Sequence, residues 1–424
     1  MKRARMGFIF VMTTLVAVTT SQAQNVVTEW NAIASNTIVQ GGKMGYAFLF
    51  LAYTNIAVYD ATNSIHRRFQ PFYFAGYTDR YASDDAAAIS AAHDVLVHYF
   101  PAEKAALDAQ FEQSLSTVVA SHRAKRAGVE AGAAAAQALI AARANDGLEA
   151  DVIYTPGTAP GDWQPTPPGF LPPAIPWLGQ MQPFTMKSAS QFLPRGPYPL
   201  SSEQWVADYD LTRLFGQLNS SVRKSGQTEI GLFWTENPFV QDVRTFTYLA
   251  KNYHLGVMDS SRLMAILWTG DTDGLIGCFN AKYTFGRWRP VTAIPAGGAN
   301  PELSAEPDWT PLAITPNHPE YPAAHTCGTS AISNLVADYF GTQNVHVVVD
   351  SHAFPDGVHT HTFENTADWL DEVFWARIYS GFHFHHSLED GAELGRRVGR
   401  QLIENNFQPI GHRHHHDDSD TADH

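Results

Sequence analysis

The sequence predicts an all-α protein, in which helices pack around a large core. Segments rich in alanine, leucine and glutamate recur along the 424 residues, and strand patterns are weak, residues 345–349 being the best of them. Hydrophobic residues make up 44% of the chain and charged residues 17%, as is usual for a globular protein. The length allows one large domain or two.

Residues 1–23 are predicted to be a cleaved signal peptide. A basic start precedes an apolar run over residues 7–18, and Ser21 and Ala23 stand at positions −3 and −1 of the expected cleavage site. The run is too short to span a membrane, and no later stretch is long and apolar enough. We therefore expect a secreted or periplasmic protein without a membrane span, the alternative being an uncleaved anchor.

Residues 24–150 are predicted to form an N-terminal helical domain. Residues 46–66 are almost continuously apolar, which predicts a buried helix. Residues 84–100 and 103–146 are rich in helix-forming side chains and predict two further helices, the second of which is closed by Gly147.

Residues 151–200 are predicted to be a connecting segment. They contain 12 of the 25 prolines of the chain and show no helical period. Four aromatic residues suggest that the segment packs against the rest of the protein: Trp163, Phe170, Trp177 and Phe184.

Residues 201–410 are predicted to form a C-terminal helical-bundle domain that carries the catalytic site. The polar tail, residues 411–424, is rich in His and Asp and is predicted to be disordered. Helical patterns in the domain recur at residues 203–217, 227–236, 240–254, 259–283, 326–340, 366–380 and 388–405.

The charge pattern points to a small anion as the ligand. A formal net charge of −14 argues against nucleic acid and anionic membranes as partners. Against this acidic background the second half carries three clusters of cations and imidazoles. The clusters are Lys282 with Arg289, then His325, then Arg377 with His383. If the three clusters converge in the fold, their charges suit a tetrahedral oxyanion.

The first two clusters supply different kinds of donor. Lys282 offers a mobile point charge at the end of a predicted helix, and Arg289 offers a planar fork that bridges two anion oxygens. His325 stands at the start of a predicted helix, where unpaired amides and the positive end of the dipole attract anions. The same environment favours the neutral imidazole, which suits a residue that exchanges protons.

The third cluster requires a helix end between its two members. Six positions separate Arg377 from His383, which do not share one helix face, and Gly381 is the expected stop. Arg377 then belongs to the last turn and His383 to the following loop. The spacing favours His383 over the neighbouring His385 and His386.

Together the three clusters resemble the signature of the vanadium-dependent haloperoxidase and type-2 phosphatidic acid phosphatase superfamily. Its pattern is K-x6-R-P, then P-S-G-H, then S-R-x5-H-x3-D. The first motif matches fully, the second has Ala323 and Ala324 for Ser and Gly, and the third has Ala376 for Ser and Ser387 for Asp.

The resemblance extends beyond the motifs to most of the chain after residue 23. Residues 57–65 (AVYDATNSI) and 288–294 (WRPVTAI) resemble the secreted bacterial haloperoxidase-like branch. The implied fold is a set of helical bundles of the vanadium chloroperoxidase and acid phosphatase type.

The resemblance also implies a role for each motif residue. His383 would bond to the metal of vanadate, the implied cofactor, or attack the phosphorus of phosphate, and His325 would be the acid–base. The oxygens of the anion would be held by Lys282, Arg289, Arg377 and the amide of Ala324.

Two departures from the motifs weaken the expected site. Ala323 lacks the hydroxyl of the family serine, and one lost hydrogen bond to a charged group costs about 1.5–3 kcal/mol. The missing aspartate after His383 removes a carboxylate that would fix the orientation and basicity of the ring. Glu389 and Asp390 are the predicted substitutes for it.

The predicted activity is oxidation of a halide by hydrogen peroxide to hypohalous acid, with an organic acceptor as a further small-molecule substrate. The long helical N-terminal half favours this peroxidase over a small secreted acid phosphatase working through a phosphohistidine. A third hypothesis is a protein that binds oxyanions without turnover. The sequence does not determine the oligomeric state.

His318 is the candidate halide-site residue. It precedes His325 by seven positions, where the resembling chloroperoxidases have an aromatic residue and algal bromoperoxidases a histidine. Bromide or iodide is therefore favoured over chloride. The alternative is a turn histidine held between Pro316 and Pro319.

The two cysteines flank the predicted site. Cys278 precedes Lys282 by four residues, and Cys327 follows His325 by two. Convergence of the motifs would bring the two thiols together. The sequence leaves two alternatives, a disulfide and two separate buried thiols.

Overall fold

The computed structural model describes residues 25–411, so the predicted signal peptide and all but the first residue of the predicted tail lie outside the described part. The predicted all-α class is confirmed, since the regular secondary structure of the described residues is helical apart from one short hairpin. The helices are α1 (Val26–Gln40), α2 (Ala47–His66), α3 (Asp84–Tyr99), α4 (Lys104–Thr117), α5 (His122–Arg143), α6 (Glu203–Gly216), α7 (Ser225–Phe233), α8 (Pro238–Asn252), α9 (Val257–Phe285), α10 (Pro290–Ala293), α11 (Ala324–Phe340), α12 (Thr366–Tyr379) and α13 (His385–Asn405).

The predicted single helix over residues 103–146 is wrong. The chain breaks into α4 and α5 because Ser121 caps a new helix, its hydroxyl accepting a hydrogen bond from the amide of Ala124. The two β-branched residues before it, Val118 and Val119, have little tendency to continue α4.

The hairpin lies where the strand pattern is strongest. Strand β1 (Val347–Phe354) pairs antiparallel with β2 (Gly357–Phe363). The side chains of Val347 and Val349 are buried, and β1 packs against α8. The hairpin therefore covers one edge of the helical body.

The core runs through both halves of the chain. Helix α2 is buried from Ala47 to Ile65, as its uniformly apolar sequence predicted, and it packs against the long helix α9. One continuous hydrophobic cluster extends from Val26 to Phe407. Since both predicted domains contribute to it, the boundaries at residues 150 and 200 stay predictions.

The segment AVYDATNSI of α2 has a structural role. The carboxylate of Asp60 accepts hydrogen bonds of 2.7–2.9 Å from the backbone amides of residues 72–74. Asn63 bonds both the carbonyl and the amide of Phe69. These contacts fold the chain after α2 back onto the helix.

The proline-rich segment 151–200 lies against the body of the protein, as predicted. Trp163 is fully buried, whereas Phe170 is 64% exposed. Asp273 of α9 anchors the segment by accepting hydrogen bonds of 2.7 Å from the amides of Phe184 and Thr185. Among the described helices, none has both the length and the apolar character that crossing a membrane requires.

Candidate active site

The three sequence clusters meet at one place. The Nη1 atom of Arg289 lies 3.0 Å from Nε2 of His383, and Nζ of Lys282 lies 2.6 Å from the carbonyl of Pro322, in the loop that leads to His325. The end of α9, the start of α11 and the end of α12 bring these side chains together.

The loop between Arg377 and His383 depends on a glycine. Helix α12 ends at Tyr379, so Arg377 occupies its last turn and His383 the loop beyond. Gly381 has φ +75°, and a Cβ there would lie 2.6 Å from the carbonyl oxygen of Gly216. Only glycine satisfies both conditions, so the helix stops where the spacing predicted.

Lys282 is fully buried and holds the loop before α11. Its ammonium donates to the carbonyls of Pro319 at 2.8 Å, Glu320 at 3.0 Å and Pro322 at 2.6 Å. All three donors of a lysine are thereby used. Direct contact of Lys282 with an anion stays a prediction, and it would require release of one carbonyl.

Arg289 ties the same loop to the loop after α12. Its Nε donates to the carbonyl of His318 at 2.9 Å, and its Nη1 donates to the carbonyl of Phe382 at 2.9 Å. Nη1 and Nη2 also lie 3.0 Å from ring nitrogens of His383 and His318. The guanidinium therefore fixes both histidines relative to each other.

Arg377 is the cation that borders the open cavity. Its Nη1 donates to the carbonyl of Trp234, and its guanidinium lies 4.8 Å from the ring centre of Phe382. Its buried Nε has no hydrogen-bond partner among the described residues. An orphaned, charged donor beside a cavity is expected to receive an anion oxygen.

The start of α11 adds neutral donors. Ala323 is the N-cap residue, and no side chain within residues 25–411 caps the helix. The amides of Ala324 and the next residues lack intrahelical acceptors by geometry, and the dipole places partial positive charge there. His325 follows in the first turn and borders the cavity.

The electrostatics of the site favour an oxyanion. Lys282, Arg289 and Arg377 are at most 1% exposed, and Glu320 is the carboxylate whose charge acts on Lys282 and Arg289. Burial lowers the pKa of Lys282 to about 8, of Arg289 to about 10 and of Arg377 to about 9. Because buried cations are costly unless compensated, a bound vanadate or phosphate fits this donor set.

The histidines are held neutral. Burial, followed by the repulsion of the neighbouring cations, lowers the pKa of His318, His325 and His383 well below its usual range. A neutral His325 can accept a proton, and a neutral His383 has a lone pair for an electrophile. Both properties suit a site that binds vanadate and a site that binds phosphate.

Glu320 is the residue that the sequence analysis missed. Its Oε1 lies 2.8 Å from Nδ1 of His383, with both side chains buried. The predicted substitutes are wrong, because Asp390 contacts His386 at 3.1 Å and Glu389 lies 3.6 Å from His385. The only signal present in the sequence was an acid two positions before the second motif and five before the acid–base histidine.

His318 lies inside the site. Its ring faces the cavity, its Nδ1 contacts Arg289 at 3.0 Å, and its ring centre is 5.2 Å from that of Phe279. The prolines on either side also hold its backbone in a turn. Both interpretations made from the sequence are therefore compatible with its position.

Two further acids border the cavity and were not predicted. Asp242 of α8 and Asp271 of α9 are close enough for each to affect the other, and burial raises the pKa of Asp271 to about 7. The repulsion of Asp271 adds to burial in raising the pKa of Asp242. Burial favours the protonated form of both carboxyls, and the charge of Asp271 favours it further at Asp242.

The two thiols are neighbours but remain free. Cys278 and Cys327 are both buried, and they form no disulfide in the described chain. The Sγ of Cys278 also lies 3.6 Å from the carbonyl of Pro322. Of the two alternatives left open by the sequence, the buried thiol pair is the one observed.

The cavity beside these groups has a volume of about 390 Å³. One end is polar and carries the arginine and histidines just described. The remaining wall is largely apolar and includes Phe48, Phe239, Leu275, Phe279 and Ile332. A cavity of this size and mixed lining is typical of a small-molecule site.

Solved structures of two vanadium haloperoxidases have the same helical architecture. The chain is similar to a bacterial vanadium-dependent iodoperoxidase, with 19% identity and a TM-score of 0.76, over 91% of this chain and 96% of that one. It is also similar to a bacterial vanadium-dependent chloroperoxidase in its holo form, with 18% identity and a TM-score of 0.68, over 86% and 92% of the two chains. The fold is thus that of the vanadium haloperoxidases.

The sequence of the second half matches a known family model. Residues 262–411, which carry all three motifs, match the model of the VCPO second helical-bundle domain. The resemblance inferred from the motifs is therefore confirmed. The comparison with curated proteins found no match.

Proposed function

We propose that the protein is a vanadium-dependent haloperoxidase that uses hydrogen peroxide to oxidise a halide to hypohalous acid. The observation that carries the proposal is the set of three buried cations beside two neutral histidines. The family of residues 262–411 supports the same reaction class.

Each residue of the site would have a separate role in this reaction. Vanadate, when bound, supplies the electrophilic centre that activates peroxide towards halide. Arg289, Arg377 and the first amides of α11 would hold its oxygens, and Nε2 of His383 would bind its metal. A ring nitrogen of His325 would take a proton from hydrogen peroxide and return it to the leaving oxygen. Lys282 contributes charge and keeps the loop before α11 in place.

The decisive experiment is bromide-dependent oxidation by hydrogen peroxide on purified protein, with and without added vanadate. We expect activity only with vanadate, and we expect His383→Ala to abolish it. Exchange of the exposed Glu389 for Gln is the matched control and should leave the rate unchanged. A wild-type protein that is inactive after vanadate loading would contradict the proposal.

Phosphoester hydrolysis is the second candidate function. Phosphate has the shape and charge of vanadate, and the ring of His383 could carry a phosphoryl group while His325 protonates the leaving alcohol. Release of phosphate from p-nitrophenyl phosphate, inhibited by vanadate and lost in His383→Ala, would favour this function over the peroxidase.

Within the peroxidase proposal we favour bromide or iodide as the halide. The support is His318, whose ring borders the cavity and contacts Arg289. We expect His318→Phe to lower kcat/KM for bromide and for iodide at least tenfold relative to chloride. Equal effects on all three halides would instead assign His318 to the turn and to the placement of Arg289.

Export across a membrane is also proposed, on the basis of residues 1–23 alone. Expression of the full chain in a bacterium, followed by fractionation and mass spectrometry of the N-terminus, should find a mature protein that begins near residue 24. A full-length N-terminus in the membrane fraction would favour the anchor.

A further inference from the structure

We propose that Glu320 is the positioning residue for His383, and that it takes the place of the aspartate that the family pattern expects at Ser387. The inference rests on the proposed function only in treating His383 as the residue that meets the anion. The carboxylate that orients the ring of His383 comes from a different segment of the chain than the family pattern predicts.

The contacts of the carboxylate support this role. Oε1 of Glu320 accepts from Nδ1 of His383 at 2.8 Å and from the backbone amide of Phe384 at 3.1 Å. Glu320 is 1% exposed and His383 is 2% exposed. A single oxygen therefore holds both the ring and the backbone next to it, away from water.

The contacts at the two ring nitrogens select one tautomer. Nη1 of Arg289 can only donate and lies 3.0 Å from Nε2, so Nε2 carries the lone pair and the proton is on Nδ1. Nδ1 then donates to Oε1 of Glu320. In this tautomer the lone pair of His383 points towards the cations that would hold the anion.

Ser387 does not supply this function. Its Oγ lies 3.5 Å from Nδ1 of His383 and 3.4 Å from the carbonyl of Glu320, so its contacts with both are weak. In the family pattern the aspartate would stand four positions after the histidine, on the first turn of α13. Here the carboxylate comes instead from the loop before α11.

That loop is fixed firmly enough to place a carboxylate. The amide of Glu320 donates to the carbonyl of Arg287 at 2.8 Å, and its carbonyl accepts from Nζ of Lys282 at 3.0 Å. Arg289 donates to the carbonyl of His318, two residues earlier. The cations of the first motif therefore hold the residue that orients the histidine of the third.

The test moves the carboxylate from position 320 to position 387. Glu320→Gln keeps the shape of the side chain and removes its charge, and Glu320→Gln combined with Ser387→Asp supplies a carboxylate from α13. We expect the single variant to weaken vanadate binding in calorimetry about 10–100-fold, and the double variant to recover at least tenfold of the loss. Glu389→Gln, an exposed acid on α13, is the control and should bind as the wild type does.

A second measurement is independent of turnover and of vanadate. Nitrogen-15 NMR of the histidine rings in the wild-type protein should show the proton of His383 on Nδ1, and Glu320→Gln should shift the ring towards a tautomer mixture. A wild-type ring that carries its proton on Nε2 would overturn the proposal even if every variant failed to fold. So would folded variants in which Glu320→Gln changes neither the tautomer nor the affinity.

The two proposals fail separately. If vanadate-loaded wild type oxidises no halide but the tautomer and the exchange behave as expected, the haloperoxidase function is wrong and the role of Glu320 stands. If halide oxidation is present and Glu320→Gln leaves both readouts unchanged, the role of Glu320 is wrong.

Discussion

At the scale of single residues, the site depends on buried charges that are only partly compensated. Lys282 and Arg289 lie near Glu320, whereas the buried Nε of Arg377 has no hydrogen-bond partner among the described residues. A second, separate group of buried charge is the carboxyl pair of Asp242 and Asp271 on the cavity wall. Both groups make the free energy of unfolding depend on pH. The dependences have opposite signs, because burial lowers the pKa of the cations and raises the pKa of the carboxyls.

Asp271→Asn is expected to stabilise the protein at alkaline pH. Burial raises the pKa of Asp271 from 3.8 to about 7, so the folded state holds its proton more tightly than the unfolded chain does. The free energy of unfolding therefore falls as pH rises from about 4 to 7. We expect the variant to be more stable than wild type by on the order of 2 kcal/mol at pH 8, after the cost of a buried amide.

Denaturant unfolding at pH 8 and pH 5 measures this difference. The advantage of the variant should shrink towards pH 5, where the wild-type carboxyl is protonated in the folded state. Asp151→Asn, at an exposed position, should show no such dependence. Equal stability of Asp271→Asn and wild type at pH 8 would contradict the expectation.

At the scale of elements, the site is assembled from helix ends. Lys282 and Arg377 lie in the last turns of α9 and α12, where the negative end of the helix dipole stabilises a cation. The first turn of α11 faces them with its positive end and free amides. The opposed ends place positive donors on several sides of one point.

Ala323→Ser should strengthen both the helix and the site. A serine at this N-cap would accept from a first-turn amide and supply the hydroxyl that the family motif contains. We expect roughly tenfold tighter vanadate binding, since a hydrogen bond to a charged group contributes about 1.5–3 kcal/mol. Calorimetric titration of the variant and wild type checks this, and weaker binding in the variant would refute it.

Gly381→Ala should damage the fold and the site together. The residue has φ +75°, and its Cβ would meet the backbone of Gly216 at 2.6 Å. Gly341→Ala is a matched control, because that position has φ +70° but open space around it. The control should cost about 1 kcal/mol and Gly381→Ala at least 2 kcal/mol more, as measured by denaturant unfolding. Similar losses at both positions would show that the contact with Gly216 is unimportant.

At the scale of the whole molecule, one core supports the site. Helices α2 and α9 form its centre, and α9 carries Lys282 at its end and Asp273, which anchors the proline-rich segment. The N-terminal helices therefore contact the element that bears the first motif. Occupation of the anion site is expected to stabilise the entire molecule.

Vanadate or phosphate should accordingly raise the melting temperature. A ligand at 100 times its Kd adds about 2.7 kcal/mol to the stability of the folded state, which amounts to several degrees in a protein of this size. Arg377→Gln should remove most of the shift, and Arg123→Gln, a side chain 83% exposed, should leave it intact. Differential scanning calorimetry that finds no shift in wild type would argue against a bound oxyanion.

Much of the fold and the site follows from local patterns. The helix of residues 46–66, the helix start before His325 and the helix stop at Gly381 depend on periodicity and on single residues, so the sequence predicted them. The break between α4 and α5 escaped prediction, because a serine cap overrode a segment of good helix formers. The replacement of the family aspartate by Glu320 also escaped, since no spacing rule links residue 320 to residue 383.

The sequence by itself determined the helical class, the three motifs and the two departures from the family pattern, because these depend on residues close together in the chain. Only the tertiary structure decided that Lys282 uses its donors on three carbonyls and that Glu320 orients His383. Those hydrogen bonds join residues 37 to 63 positions apart. Their partners are chosen by the packing of α9, α11 and α12, which fixes distances that no local pattern encodes.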